Sequence, residues 1–178
     1  MLNVVRMSVL LSLLLPSLLQ AADKPLREYL LGPGDLLSIH VFEEEELSLE
    51  LRLSDRGTIA YPFLGEIETQ GLGLAELSGL IKRGLADGYL VNPIVSITIV
   101  EYRQFYINGE VEKPGGYAYL PGLTVQKAVA LAGGFTERAS KEKITVVHDG
   151  AEASTPRQLG LSSAVRPGDV VTIEESFF

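Results

Sequence analysis

The chain has no cysteine and no tryptophan, and only two histidines, His40 and His148, in 178 residues. Without cysteine there are no disulfides, no thiolate metal ligands, no Cys nucleophile and no acylated N-terminal Cys. Basic side chains are scarce as well: 15 Lys and Arg stand against 23 Asp and Glu, giving a formal net charge of −8. Nucleic acid is therefore excluded as a partner, since phosphate binding needs a basic face. Beyond the N-terminus no apolar run is long enough to span a bilayer.

What is present suits one large or two small globular domains, because 46% of the residues are hydrophobic and can form a real core. The N-terminus is read separately. Arg6 supplies a positive charge, Met7 to Leu19 is apolar apart from Ser8, Ser12 and Ser17, and Gln20-Ala21-Ala22-Asp23 offers small residues. This pattern predicts a secretory signal over residues 1–22, cleaved after Ala21 or Ala22. A cysteine-free exported chain fits a bacterial periplasm.

The remainder reads as alternating strands and helices. Leu31-Gly32-Pro33-Gly34-Asp35 is a turn that launches a strand over Leu36 to Phe42. Leu47, Leu49, Leu51 and Leu53 alternate with polar residues, the period of a strand. Asp55-Arg56-Gly57 reads as its hairpin turn, with Thr58 to Tyr61 as the partner strand ended by Pro62. Leu74, Leu77, Ile81 and Leu85 have helical spacing, Gly88 ends that helix, and Asn92-Pro93 precedes a β-branched strand over Ile94 to Val100. A second series follows. It comprises a strand over Gln104 to Val111 containing Gly109, a turn at Lys113-Pro114-Gly115-Gly116 and a short strand over Tyr117 to Leu120. Thr124 then caps a helix that Gly133-Gly134 stops. Strands over Ile144 to His148 and Ala151 to Ser154 surround a turn, and Arg166-Pro167-Gly168-Asp169 leads into a last strand over Val170 to Ile173. One helix on a small mixed sheet is an α+β, β-grasp-like unit.

The ordered set Gly32-Pro33-Gly34-Asp35, Asp55-x-Gly57, Tyr61-Pro62-Phe63-Leu64-Gly65, the helix, Asn92-Pro93 and Val95 to Val100 resembles the export domain of the bacterial outer-membrane polysaccharide export family, which includes the capsule translocon protein Wza. The downstream set Gly109-Glu110-Val111-x-x-Pro114-Gly115, Ala132-Gly133-Gly134 and Pro167-Gly168-Asp169 resembles the SLBB β-grasp domain that follows it there. The resemblance implies an α+β chain with a polysaccharide export domain over 23–102 and one SLBB-like domain over 103–178. It also implies a homo-oligomeric periplasmic ring that conducts a secreted polysaccharide from an inner-membrane polysaccharide co-polymerase towards the outer membrane. Larger members carry a lipidated Cys and a pore-forming helix that this sequence does not contain. A non-lipidated chain associated with the outer membrane and working with a separate outer-membrane β-barrel is therefore expected. The alternative is a periplasmic glycan-binding module without a transport role.

Chemistry is weakly signalled, and neither catalysis nor a metal nor a cofactor is expected. His40 alternates with apolar neighbours inside a strand, and His148 borders a turn. Ser162-Ser163 lacks a nucleophile-elbow frame, and Gly71-Leu72-Gly73 lacks the third glycine of a dinucleotide fingerprint. Glu43 to Glu46 reads as a solvated charged loop. Tyr61, Tyr117 and Tyr119 flank turns and are candidates for glycan contact, with packing at strand ends as the alternative.

Overall fold

The computed structural model describes residues 29–149 and 155–176. The expected export signal, the expected strand over 151–154 and the closing Phe177-Phe178 lie outside the described residues.

The first half builds a three-stranded antiparallel sheet. Strand β1 (Leu36–Val41) lies between β2 (Leu49–Arg52) and β5 (Val95–Glu101), with Leu37 opposite Leu51 and Ile99, and Ile39 opposite Leu49 and Ile97. The period of two sends Leu37, Ile39 and Val41 to one buried face. Helix α1 (Leu74–Ala86) sets Leu77, Ile81 and Leu85 on that face, all without solvent exposure. At its start the Glu76 carboxylate reaches back to the Gly73 amide at 2.9 Å, which satisfies one orphan donor. Gly84 weakens the helix by propensity, but a Cβ there would sit 2.7 Å from Leu64, so glycine permits the close approach of that loop.

Two expectations for this half need correcting. Thr58 to Tyr61 does form a strand, β3 (Thr58–Tyr61), but its partner is β4 (Gly65–Glu68), which the sequence reading did not foresee, and not the leucine strand. After the turn at Ser54 to Gly57 the chain leaves the sheet as a separate two-stranded ribbon. The leucine strand is also shorter than expected. Leu47 ends a 3₁₀ turn (Glu45–Leu47), although it and Leu53 still point into the core.

The second half is a five-stranded mixed sheet in the order β7 (Gly115–Tyr117), β6 (Phe105–Gly109), β10 (Val170–Glu175), β8 (Ala139–Val147), β9 (Arg157–Leu159). β10 runs parallel to β6 and antiparallel to β8. Helix α2 (Val125–Leu131) covers one face, its cap Thr124 accepting the Lys127 amide as expected. Gly109 has φ 80 and its Cβ would stand 2.0 Å from the Ile173 carbonyl, so only glycine fits where the parallel pair closes. Gly115 and Gly116, expected in a turn, lie within β7. Gly116 sits there because a Cβ would run into the Tyr106 ring at 2.9 Å. β8 begins five residues earlier than expected, at Ala139.

The chain thus has two separate hydrophobic cores, one drawn from residues between Leu31 and Ile97 and one from residues between Phe105 and Ile173. Among the described residues no helix is long and apolar enough to cross a membrane.

Candidate functional site

The two cores meet at a junction built from two copies of one turn. In the first, Gly34 takes φ 91, the Asp35 amide donates to the Gly32 carbonyl, and the Asp35 carboxylate accepts the Gly32 amide at 2.9 Å. In the second, Gly168 takes φ 83, the Asp169 amide donates to the Arg166 carbonyl, and the Asp169 carboxylate accepts the Arg166 amide at 2.8 Å. Each aspartate is buried and each turn launches a strand, β1 or β10. The local chemistry is that of an Asx-stabilised turn with glycine at the left-handed position.

Arg103 lies between the turns. A Cβ on Gly32 would meet its guanidinium carbon at 2.6 Å, and one on Gly168 would meet its Nε at 2.8 Å, so a glycine on each side makes room for it. Its Nη1 donates to the Asp35 carboxylate at 3.0 Å and to the Tyr29 hydroxyl at 2.7 Å, and its backbone amide donates to Asp35 at 2.8 Å. The Tyr29 hydroxyl donates in turn to Asp35 at 2.7 Å. Asp35 therefore accepts from Gly32, Tyr29 and both ends of Arg103, which satisfies its buried charge. On the other side Arg103 Nε stands 3.2 Å from the Asp149 carboxylate, an ion pair without hydrogen-bond alignment.

Aromatic side chains continue the junction. Tyr29 meets Tyr102 edge-on at 5.0 Å, and Tyr102 meets Tyr119 edge-on at 5.3 Å, so the rings run from the first domain into the second. Burial, then the Asp35 hydrogen bond, pushes the Tyr29 phenol far above its ordinary range. Burial, then Tyr102, raises that of Tyr119. Asp169 accepts at 2.7 Å from His148 Nδ1, which fixes that nitrogen as the protonated one.

Two concavities flank this crosspiece. One, of about 380 Å³, is lined by Tyr29, Arg103, Tyr119, His148 and Arg166 among others. The other, of about 940 Å³, is lined by Arg52, Val100, Tyr106, Tyr119 and Leu120 among others. Mixed aromatic and hydrogen-bonding walls suit a polyhydroxylated ligand, whose C–H faces stack on rings while its hydroxyls bond to charged groups. The carboxylate beside His148, that of Asp169, is already engaged by the imidazole and by the Arg166 amide. Among the described residues no group of three or more His, Asp or Glu could hold a metal ion.

The junction gathers some residues singled out in the sequence and leaves others apart. Gly32, Pro33, Gly34, Asp35, Gly168, Asp169 and Tyr119 are at or beside it. Asp55, Gly57, Pro62, Gly65, Pro93, Gly109, Pro114, Gly133 and Gly134 shape turns or strand ends elsewhere. Tyr61 is not available to a ligand. It is a core residue at 2% exposure whose hydroxyl donates to the Leu47 carbonyl at 2.6 Å, and its phenol is raised by burial. Tyr117 packs on Phe105 and donates to the Lys113 carbonyl, so packing accounts for it. Tyr29, Tyr102 and Arg103 carry no signal in the sequence. They lie next to turns and strand ends, where no periodicity marks them, and the meeting of the two domains gives them partners. His148 and Arg166, read as turn residues, belong to the junction too.

Residues 23–100 match the polysaccharide biosynthesis/export protein family model and residues 104–156 match the SLBB domain model. The exopolysaccharide production protein ExoF of Rhizobium meliloti (strain 1021) is 34% identical over 119 residues, 60% of this chain and 28% of that protein. The EPS I polysaccharide export outer membrane protein EpsA of Ralstonia nicotianae (strain ATCC BAA-1114 / GMI1000) is 28% identical over 182 residues, 83% of this chain and 47% of that protein. The polysialic acid transport protein KpsD of Escherichia coli is 25% identical over 122 residues, 67% of this chain and 22% of that protein. The chain spans about a quarter to a half of the length of these curated relatives. The chain thus carries a polysaccharide biosynthesis/export domain followed by an SLBB domain.

Proposed function

We propose that the chain is a non-enzymatic component of a polysaccharide export machine, exported by a cleaved signal and working in the periplasm in association with the outer membrane. In this reading it forms a homo-oligomeric ring that conducts a secreted polysaccharide. An inner-membrane polysaccharide co-polymerase feeds the ring, and a separate outer-membrane β-barrel completes the exit. The observation that carries the reading is the succession of an export domain and an SLBB domain along one chain, together with its similarity to relatives named for exopolysaccharide production, polysaccharide export and polysialic acid transport. The Asp35–Arg103 junction supports it physically, since a ring subunit must hold its domains at a fixed angle for copies to close.

A second reading, a glycan-binding module without transport, draws support from the junction concavity beside Tyr119. One experiment separates the two. The polymer is localised in cells lacking the gene. Polymer retained in the periplasm while synthesis continues supports export. Secreted polymer unchanged in amount but altered in length or composition overturns export and favours the binding module.

A further inference from the structure

We propose that the pole of the first domain farthest from the Asp35–Arg103 junction docks another protein, one that presents an apolar pocket rimmed by Lys and Arg. β1 carries the chain from the junction to this pole, roughly 20 Å for six extended residues. Three loops meet there, after β1, between β3 and β4, and between α1 and β5. The Phe42 amide donates to the Ile94 carbonyl at 3.0 Å, and the Phe63 and Tyr89 rings stack at 4.9 Å. Large apolar side chains of these loops face solvent: Phe42 at 56%, Phe63 at 64%, Tyr89 at 51%, Ile94 at 63% and Val91 at 93% exposure. Grouped apolar exposure of this kind marks an interaction surface.

The backbone makes a second, independent observation. Among the described residues the non-glycine positions with positive φ are Glu43, Phe63 and Asn92, at 63°, 64° and 54°, one in each of the three loops. Asparagine tolerates that conformation, but glutamate and phenylalanine do not adopt it readily. Strain held in all three loops that carry the exposed side chains fits a recognition site better than a passive loop end.

Charge decides the occupant. Exposed Glu43, Glu45, Glu46 and Asp87 rim the patch, and residues 29–102 hold 12 acidic against 4 basic side chains. Two copies meeting face to face would oppose these carboxylates, and an anionic bilayer would repel them. A protein surface with an apolar centre and a cationic rim matches both features. The proposal does not depend on the export reading, since its test reads adducts and not polymer.

The test places p-benzoylphenylalanine at Val91 of the full chain in its native cells, followed by irradiation and mass-spectrometric identification of adducts. The expected result is one dominant adduct with a different protein, joined through a segment bearing Lys or Arg beside apolar residues. Its yield should fall at least fivefold with Glu45→Lys plus Glu46→Lys. An adduct with a second copy, with lipid alone, with a protein segment lacking basic residues, or with nothing overturns the proposal. So does a yield that survives the charge reversal. Phe63→Gly supplies the folding control, because glycine accepts φ +64. It should keep the melting temperature within a few degrees while the adduct is lost. A sharp fall in melting temperature would make Phe63 structural and contradict the proposal.

Discussion

The turns at Asp35 and Asp169 share their internal hydrogen bonds, their left-handed glycine and their burial, yet their outward-facing oxygens have different partners. Asp35 takes the amide and guanidinium of Arg103, which comes from beyond the last strand of its own domain, together with Tyr29. Asp169 takes His148, a neighbour within the second domain. One turn therefore joins two cores, whereas the other ties together the ends of β8 and β10 in a single core. The same short motif can be a local device or a hinge lock, and the third partner decides which.

Removing each carboxylate tests this difference. Asp35→Ala should cost about 3–5 kcal/mol, because a largely buried arginine loses its hydrogen-bonded carboxylate and two amides lose their acceptor. Thermal unfolding measures it. Gly168→Ala should cost about 2–3 kcal/mol, combining a left-handed alanine with crowding of Arg103 and Asp149 at 2.8 Å. Gly34→Ala, whose Cβ would stand 3.5 Å from Arg103, should lose only the backbone part, about 1–2 kcal/mol. Equal losses for the two glycines would show that Arg103 does not fill the space between the turns.

Asp169→Ala should cost less than Asp35→Ala, about 1–3 kcal/mol, since it frees a backbone amide and a partly exposed histidine but no buried guanidinium. Tyr29→Phe should cost about 1 kcal/mol at neutral pH. It also has a pH signature. The folded-state phenol of Tyr29 is raised above its ordinary value of 10.0, so its stabilisation is complete below pH 10 and is lost as pH climbs above it. Wild-type protein should therefore lose stability above pH 10 more steeply than Tyr29→Phe, as chemical denaturation across pH 8–11 would read. Tyr61 and Tyr119, also raised by burial, leave a residual slope in the variant.

Much of this architecture was legible because it depends on local chemistry. Leu77, Ile81 and Leu85 declare a helix by spacing, Thr124 and Gly133 mark the ends of another, and both Pro-Gly-Asp turns stand out beside the strands they launch. Pairing was less legible. Thr58 to Tyr61 follows a turn signal and looks like the second arm of a hairpin, yet its hydrogen bonds go to Gly65–Glu68, a segment too polar to advertise itself as a strand. The junction was least legible. Arg103 carries no periodic signal, and its role comes from two glycines 136 positions apart in sequence, Gly32 and Gly168, that crowd the same guanidinium. Tyr61 shows the converse: beside a turn it resembles a surface aromatic, but the ribbon folds its ring inward until its hydroxyl reaches Leu47.

The centre of this account is that one buried carboxylate makes a single unit of two cores. Scanning calorimetry of residues 23–178, wild type beside Asp35→Ala, tests that most directly. The account predicts one cooperative transition for the wild type, with calorimetric and van't Hoff enthalpies equal, and two resolved transitions for the variant. Two independent transitions already present in the wild type, or one unbroken transition in the variant, would contradict it.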